Sequence, residues 1–509
     1  MPAPVEAPLA DVCLVVEGAY PYVQGGVSSW TQDLIKTQCH LRFHLLVIVA
    51  PDAERALRYK LPPNVCGLTH VLAAQMPVGV RHLPGADKLV RAVHVAAARV
   101  MAQGDALALQ ELIHLLEPHR GRIGSRLLLD SKAAWEAFHD VYSTSCEGAS
   151  YLNAFWGWRT LVSGLFSAIL SDLPKARVYH CISTGYAGLL AARAALETGR
   201  PAFVTEHGVY TNERRLEILS APWLAVDDSR SLSISGDVNK VKELWINTFV
   251  SYSKACYKAC AHIITLFEGN HPLQIEDGAL PERLSVIPNG IDLPRYAGIV
   301  RVPRKEEGGT RRTAIALVGR VVPIKDVKTY VRACAILVRK VPDVLCYVLG
   351  PMDEDPPYAA ACLALVQQLG LQKHVEFTGM ANLMDYFGRI DVMVLTSISE
   401  AQPLVILEGG AARVPSVATD VGACRELIFG RSEEVPNLGA GGRVTEIGNP
   451  ADIADALAEL LLDEPLRQRC GAVMQARVRS SYDKVDLHVR YARLYQELIA
   501  KPDAAAGGL

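Results

Sequence analysis

The chain alternates, almost from end to end, between short apolar runs and stretches of helical periodicity, and few folds can absorb that pattern. "DVCLVVEG" reads as a buried strand, "GGVSSWTQDLI" opens a helix with Val27, Trp30, Thr31 and Leu34 on one face, and "HLLVIVA" is the next strand. Strands that are apolar throughout, joined by helices, belong to a parallel sheet covered on both sides. The rhythm breaks from about Gln75 to Asp172, a mostly helical stretch that includes "YLNAFWGWRTLVSGLFSAIL" and reads as an insertion. It resumes at "RVYHCIS", "AFVTEH" and "HIITLF". "LSVIPNGID" then brings a turn cluster, Pro288, Asn289 and Gly290. A second series follows: "TAIALVG", "VLCYVLG", "VEFTG", "DVMVLTS", "PSVAT" and "GRVTE" as strands, with "VKTYVRACAILVRK" as a helix. The terminal "YDKVDLHVRYARLYQELIA" places Val485, Val489, Ala492, Tyr495 or Gln496, and Ile499 at helical spacing. The expectation is two doubly wound α/β domains in tandem, with a linker near 288–294 and no internal sequence repeat. Such sheets bind ligands beyond the carboxyl ends of their strands, so two of them facing each other would leave a cleft lined by those ends.

Composition narrows the class. With 509 residues, 52 Lys and Arg against 54 Asp and Glu, the formal charge is −2, which does not suit a nucleic-acid binder. The mixed-charge run "RKEEGGTRR" is expected to be a solvated loop. The twelve cysteines form no CxxC pair and no Cys/His cluster at zinc spacing, and read as buried free thiols in a reducing compartment, even Cys256 and Cys260, four apart on a helix. "MPAPVEAPLA" lacks the pattern of a signal peptide and no run is long enough to span a membrane, so a cytoplasmic protein is expected.

The stretch "SEAQPLVILEGG", Ser399–Gly410, is where chemistry is expected. Glu400 lies in the loop after a strand and Pro403 suits the first position of a helix. Ala401 and Gln402 are poor caps, so the N–H groups of Leu404, Val405 and Ile406 lack an evident side-chain acceptor. An anion would satisfy them and the helix dipole favours one there. Glu408, about a turn and a half on, is placed to accept a ribose hydroxyl pair, and Glu400 to accept sugar hydroxyls. "LVGRVVPIKDVKTY" adds Arg320 and Lys325 at the end of the first strand of the second series, a guanidinium fork and an ammonium for phosphate oxygens. Asp326 is positioned to start the next helix. In the first domain Gly25 and Gly26 precede a helix and permit close backbone approach to a ligand, without the GxGxxG spacing. Glu206, His207 and Gly208 end a strand, where His207 can hydrogen-bond a sugar. The acidic triplet Asp353, Glu354, Asp355 reads as a solvated turn, the Trp156/Trp158 pair as core or a partner surface, and the serines of "SSW" have no base beside them.

The glycine loop Gly25–Gly26, "IPNGID", "GRVVPIK" and the E-x7-E pair Glu400/Glu408 together resemble the retaining glycosyltransferases of family GT4, over nearly the whole chain. "EGAYPYVQGGVSSW", "TEHGVYTNER" and the helical insertion look like the branch that serves Pel exopolysaccharide synthesis. The resemblance implies a GT-B fold: two Rossmann-like domains facing a cleft, 1–288 (insertion about 75–172) on the acceptor side and 289–480 binding the nucleotide sugar, with a helix at 481–503 crossing back to the first domain. It implies catalytic roles for Arg320, Lys325, Glu400 and His207. It implies donor contacts from Gly25, Gly26, Gln402, Pro403, Leu404, Val405 and Glu408. The donor it implies is a UDP-sugar, UDP-glucose or a UDP-N-acetylhexosamine, transferred with retention to a growing polysaccharide without a metal or other cofactor. The partners implied are that donor, the polysaccharide and an inner-membrane Pel synthase complex, with no nucleic acid, so that the protein would be peripheral at the inner face of the membrane. Where relatives have Gly and an aromatic after the first Glu, this chain has Ala401 and Gln402. Two other readings fit the same residues: a GT-B UDP-sugar epimerase, and a non-catalytic nucleotide-binding subunit of a membrane synthase.

Overall fold

The structure is a computed structural model that describes residues 9–53, 55–220, 237–302, 305–306, 309–310 and 312–501. The backbone divides into two compact units: unit 1 is 1–265, 270–286 and 491–509, and unit 2 is 266–269 and 287–490.

Unit 1 is built on seven strands: β1 (Ala10–Glu17), β2 (Phe43–Val49), β3 (Val65–Leu72), β4 (Ala176–Cys181), β5 (Ala202–Glu206), β6 (His262–Thr265) and β7 (Leu284–Val286). Their order is β3-β2-β1-β4-β5-β6-β7 and every pairing is parallel. β1 is central: Leu14 aligns with Leu45 on one side and His180 on the other, and Val12 to Val16 are wholly buried. That is why its sequence is apolar throughout instead of alternating. β3 was not foreseen. It lies at the sheet edge, and Cys66, Gly67, Thr69 and His70 break its apolar run, so periodicity carries no strand signal there.

Between β3 and β4 the expected insertion is observed as helices Ala86–Gln103, Ala106–Leu116, Ser125–Leu128, Lys132–Val141 and Tyr151–Leu170. Asp105 starts the second by accepting from the N–H groups of Leu107 and Ala108, and Ser131 and Ser150 cap the last two. The tryptophan pair divides: Trp158 is 3% exposed and stacks on His94, while Trp156 is 56% exposed.

The main sheet of unit 2 has six strands: β8 (Ala314–Val318), β9 (Leu345–Leu349), β10 (Val375–Gly379), β11 (Val392–Leu395), β12 (Ser416–Thr419) and β13 (Gly442–Thr445). The order is β10-β9-β8-β11-β12-β13, again all parallel. In each sheet the chain winds outward through three strands, returns to the centre, and winds the other way. The reversal falls between β1 and β4 in unit 1, and between β8 and β11 in unit 2. These are the switch points at which open α/β sheets hold ligands.

Two details differ from the sequence-based expectations. The terminal helix, Lys484–Ala500, buries Leu487, His488, Tyr491, Tyr495 and Leu498, while Val485 and Val489 are 66% and 44% exposed. Its two buried tyrosines, both counted with unit 1, have partners for their hydroxyls within that unit: Tyr495 meets His180 Nδ1 at 2.7 Å and Tyr491 meets Thr205 Oγ1 at 3.3 Å. The run "RKEEGGTRR" lies largely outside the described residues, and its described backbone pairs Lys305–Glu306 antiparallel with Gly309–Thr310. Residues 1–8 and the last two of the expected 481–503 helix also lie outside the described set.

Candidate active site

In unit 2 the two loops at the switch point are fastened to each other. The Thr396 hydroxyl, just past β11, donates to the carbonyls of Lys325 and Asp326 (2.9 and 3.1 Å), and Ile398 N–H donates to the Ile324 carbonyl (2.9 Å). The loop after β8 needs Gly319 at φ +152°, a conformation open to glycine, and the Lys325 side chain lies against the space where a Cβ would stand. Asp326 caps the helix Val327–Lys340 by accepting from Thr329 N–H (3.2 Å), as its position in the sequence suggested. Against the other loop lies Gly422, which follows β12, at φ +51°; it packs so tightly there that a Cβ would strike the carbonyl oxygens of Glu400 and Ala401. Backbone fit therefore fixes where Lys325 and Glu400 emerge.

These fastenings bring Lys325 and Glu400 into an ion pair, with the Ser397 hydroxyl donating to the same Glu400 oxygen (2.7 Å). Both side chains are mostly buried, so the pair is held in a medium less screening than water. Arg320 is engaged as well, its Nη1 donating to both oxygens of Glu354 at 2.5 and 2.7 Å with each side chain about half exposed. The acidic triplet is thus more than a solvated turn: Glu354 holds Arg320, and Asp355 caps the helix Pro356–Gln368 through Tyr358 N–H (3.0 Å).

The helix Leu404–Ala411 begins one residue later than expected. Pro403 is its cap residue, at φ −72° and ψ 110°, and no side chain caps the helix. Ile406 N–H donates to the Pro403 carbonyl (3.2 Å), which corrects the expectation of three open donors and leaves Leu404 and Val405 as the uncapped ones. Gln402 is buried and faces the linker: its Oε1 accepts from Asn289 N–H at 2.7 Å and its Nε2 donates to the Asn289 carbonyl at 3.4 Å. Its amide is engaged with "IPNGID", so in this structure it braces that segment. Glu408 Oε1 accepts the Tyr296 hydroxyl at 3.0 Å, and burial raises its carboxyl above the usual range. Nothing in the sequence marked Tyr296 or Glu354, because each meets its partner only through the fold.

In unit 1, Gly25 and Gly26 follow β1 at the switch point and open the helix Gly26–Thr37, which no side chain caps. Gly25 has an extended backbone, φ 171° and ψ 176°, and a Cβ on either glycine would meet no protein atom within 4 Å. Neither local conformation nor packing requires glycine at this pair. His207 directly follows β5, one strand beyond the switch point. Trp30 of the glycine-loop helix meets it edge-on at 4.5 Å. The His207 Nε2 is buried without a hydrogen-bond partner, and burial pushes the imidazole down to about 4, so it stays neutral. Beneath it, Glu206 accepts from the Tyr257 hydroxyl (2.6 Å), Gln274 Nε2 (2.7 Å) and the Thr184 hydroxyl (3.3 Å), while burial raises its carboxyl to about 7. That network ties β5 to its neighbouring elements and fixes the turn carrying His207.

Comparisons with known proteins agree with this division. Residues 10–282 match the family model described as "Domain of unknown function (DUF3492)", and residues 302–476 match "Glycosyl transferases group 1". D-inositol 3-phosphate glycosyltransferase of Nocardia farcinica is 33% identical over 202 residues, 38% of this chain and 43% of that protein. N-acetyl-alpha-D-glucosaminyl L-malate synthase of Bacillus anthracis is 29% identical over 177 residues, 35% and 43% respectively. The chain spans less than half the length of these curated relatives. Among solved structures, Anabaena HepE in complex with UDP and glucose superposes with a TM-score of 0.55 at 15% identity, over 96% of this chain and all of that one. Sucrose-phosphate synthase from Thermosynechococcus elongatus gives 0.56 at 14% identity, over 96% and 99%. Among the described residues no helix is long and apolar enough to cross a membrane. The chain has the GT-B fold with a group 1 glycosyltransferase domain at 302–476, and it belongs to the family described as "Domain of unknown function (DUF3492)".

Proposed function

We propose that the protein is a retaining, metal-independent glycosyltransferase that moves a hexose or N-acetylhexosamine from a UDP-sugar onto a growing polysaccharide. The observation that carries this reading is that the two loops at the switch point of unit 2 carry Arg320, Lys325 and Glu400, the last two in an ion pair, and that the second loop leads into a helix that no side chain caps and that bears Glu408. Two cations and two helix N–H groups form a receptor for a diphosphate, and a carboxylate one turn along suits a vicinal diol. UDP and glucose in the HepE complex support the choice of nucleotide.

In this reading the diphosphate replaces Glu354 on Arg320 and draws Lys325 from Glu400, which turns to the sugar hydroxyls. Glu408, steadied by Tyr296, takes the ribose. As the C1–phosphate bond stretches toward an oxocarbenium-like state, Arg320, Lys325 and the helix start stabilise the charge that develops on the phosphate, which accepts the acceptor's proton on the same face. In unit 1, Gly25, Gly26 and neutral His207 lie at the carboxyl end of that unit's own sheet, and in this reading they are sugar-contacting groups. The resemblance of "EGAYPYVQGGVSSW", "TEHGVYTNER" and the insertion to PelF supports a place in Pel synthesis with an inner-membrane complex. Exposed Trp135 (46%), Leu152 (63%) and Trp156 (56%) on the insertion are a surface for such a contact.

The test is a panel of UDP-hexoses and UDP-N-acetylhexosamines, read by UDP release, by product analysis and by thermal shift. One donor is expected to give UDP and a glycoside. A changed nucleotide sugar with no glycoside would make the protein an epimerase, and binding of UDP without turnover would make it a scaffold.

A further inference from the structure

The sequence holds no cysteine cluster at metal-binding spacing, yet the fold assembles one. Cys181 ends β4, Cys256 lies in the helix Asp237–Ala259, and Cys260 follows that helix before β6. All three are wholly buried. The sulfurs of Cys181 and Cys256 are 3.9 Å apart, those of Cys256 and Cys260 3.7 Å, and all three lie within 4.8 Å of one another. The trio brings residues 75 positions apart together through the pairing of β4 with β5 and β5 with β6, which explains why spacing did not reveal it.

We propose that Cys181, Cys256 and Cys260 form a binding site for a soft d10 cation of low coordination number, monovalent copper in the first instance. A thiolate sulfur sits ~2.3 Å from such an ion, as it does from zinc, so sulfurs sharing one ion lie about 3.8 Å apart around a tetrahedron and about 4.0 Å apart in a trigonal plane. Two edges of the trio already have that length. The donor set is all sulfur, which selects soft ions. Water is excluded, which removes the usual fourth ligand and favours an ion content with two or three. Gly188 makes the room: a Cβ there would lie 2.9 Å from the Cys256 sulfur.

Charge can be accommodated as well. Copper(I) displaces two protons to solvent, giving two thiolates, one thiol and one net negative charge. The Arg283 guanidinium, which donates to the carbonyls of Lys258 (2.7 Å) and Cys260 (3.0 Å), stands beside the site to offset it. The site cross-links β4, the helix and the lead into β6 within the core of unit 1. None of the proposed donor residues is among its ligands.

The experiment uses the full chain with the two exposed thiols removed, Cys39→Ser and Cys66→Ser, reduced and handled without oxygen, and titrated with copper(I) against bathocuproine disulfonate. The expected result is one copper retained per chain and a rise in melting temperature. Cys256→Ser, or Cys181→Val should the first variant not fold, is expected to lower the affinity at least tenfold. Cys362→Ser, in a separate buried position of unit 2, should leave it unchanged. Complete transfer of copper to the chelator, or equal retention after loss of Cys181 or Cys256, overturns the proposal. Because UDP binding is measured separately, this outcome is independent of the fate of the proposed transferase activity.

Discussion

Replacing Glu354 by Gln should make the protein bind UDP more tightly, a gain of function from removing a charge. Arg320 Nη1 donates to both oxygens of Glu354, with both side chains about half exposed, 53% and 50%. Pairs of that kind are worth ~0.2–1 kcal/mol, since solvent screens them and the long side chains lose freedom. A diphosphate that must displace Glu354 gives up that amount. Removing it should lower the UDP dissociation constant by about 1.4- to 5-fold at 25 °C, from the relation of ~1.4 kcal/mol per factor of ten. Isothermal titration calorimetry at low salt reads the change, and raising the salt should shrink it. The same substitution in an Arg320→Ala background should do nothing, because no pair remains to be released. Weaker UDP binding by Glu354→Gln, or an equal effect with and without Arg320, would refute the argument.

Four further outcomes follow from the same structure. Lys325→Ala is expected to leave melting temperature close to that of the parent and to reduce kcat ~10²- to 10³-fold, the usual cost of losing one charge-stabilising donor, measured by UDP release. Tyr296→Phe removes the hydroxyl on Glu408 and should raise KM for the donor by about 2- to 13-fold, corresponding to ~0.5–1.5 kcal/mol, with kcat little changed. Gln402→Leu strips the Asn289 N–H of its acceptor and should destabilise unit 2 by ~1–3 kcal/mol in chemical denaturation. His94, buried against Trp158 and held down to about 4, takes up a proton in the unfolded chain at about 6.5 but in the folded one only near 4. Its contribution is therefore present above pH 6.5 and lost as pH falls toward 4, by up to ~3 kcal/mol. Subtracting the pH–stability curve of His94→Gln isolates it from Glu206, whose raised carboxyl acts with the opposite sign, stabilising at low pH and losing that effect as pH rises through about 7.

The elements that were legible from sequence are those whose signal is local. β8, β9, β10, β11, β12 and β13 fall within the runs that announced them, and the helix Val327–Lys340 has the bounds its periodicity gave. The loop positions of Arg320, Lys325 and Glu400 were legible for the same reason, being set by where strands stop, and Glu408 fell in the helix its spacing placed it in. Partners were not. Tyr296 is 112 residues from Glu408 and Cys181 is 75 from Cys256, and only strand order brings them together. Gln402 and Glu354 show the limit most plainly: a poor cap and a surface acid by local rules, they became a linker brace and the holder of Arg320. The terminal helix misled in part: Tyr495 was on the expected stripe, but Tyr491 and His488 count as polar in periodicity and yet face inward, with the Tyr491 hydroxyl hydrogen-bonded to Thr205.

A crystal structure of the protein soaked with UDP tests the central claim most directly. The account predicts the diphosphate against Leu404 and Val405 N–H with Arg320 and Lys325 turned onto its oxygens, and the ribose diol on Glu408. UDP bound elsewhere, or bound with Arg320 still on Glu354 and Lys325 still on Glu400, would contradict it.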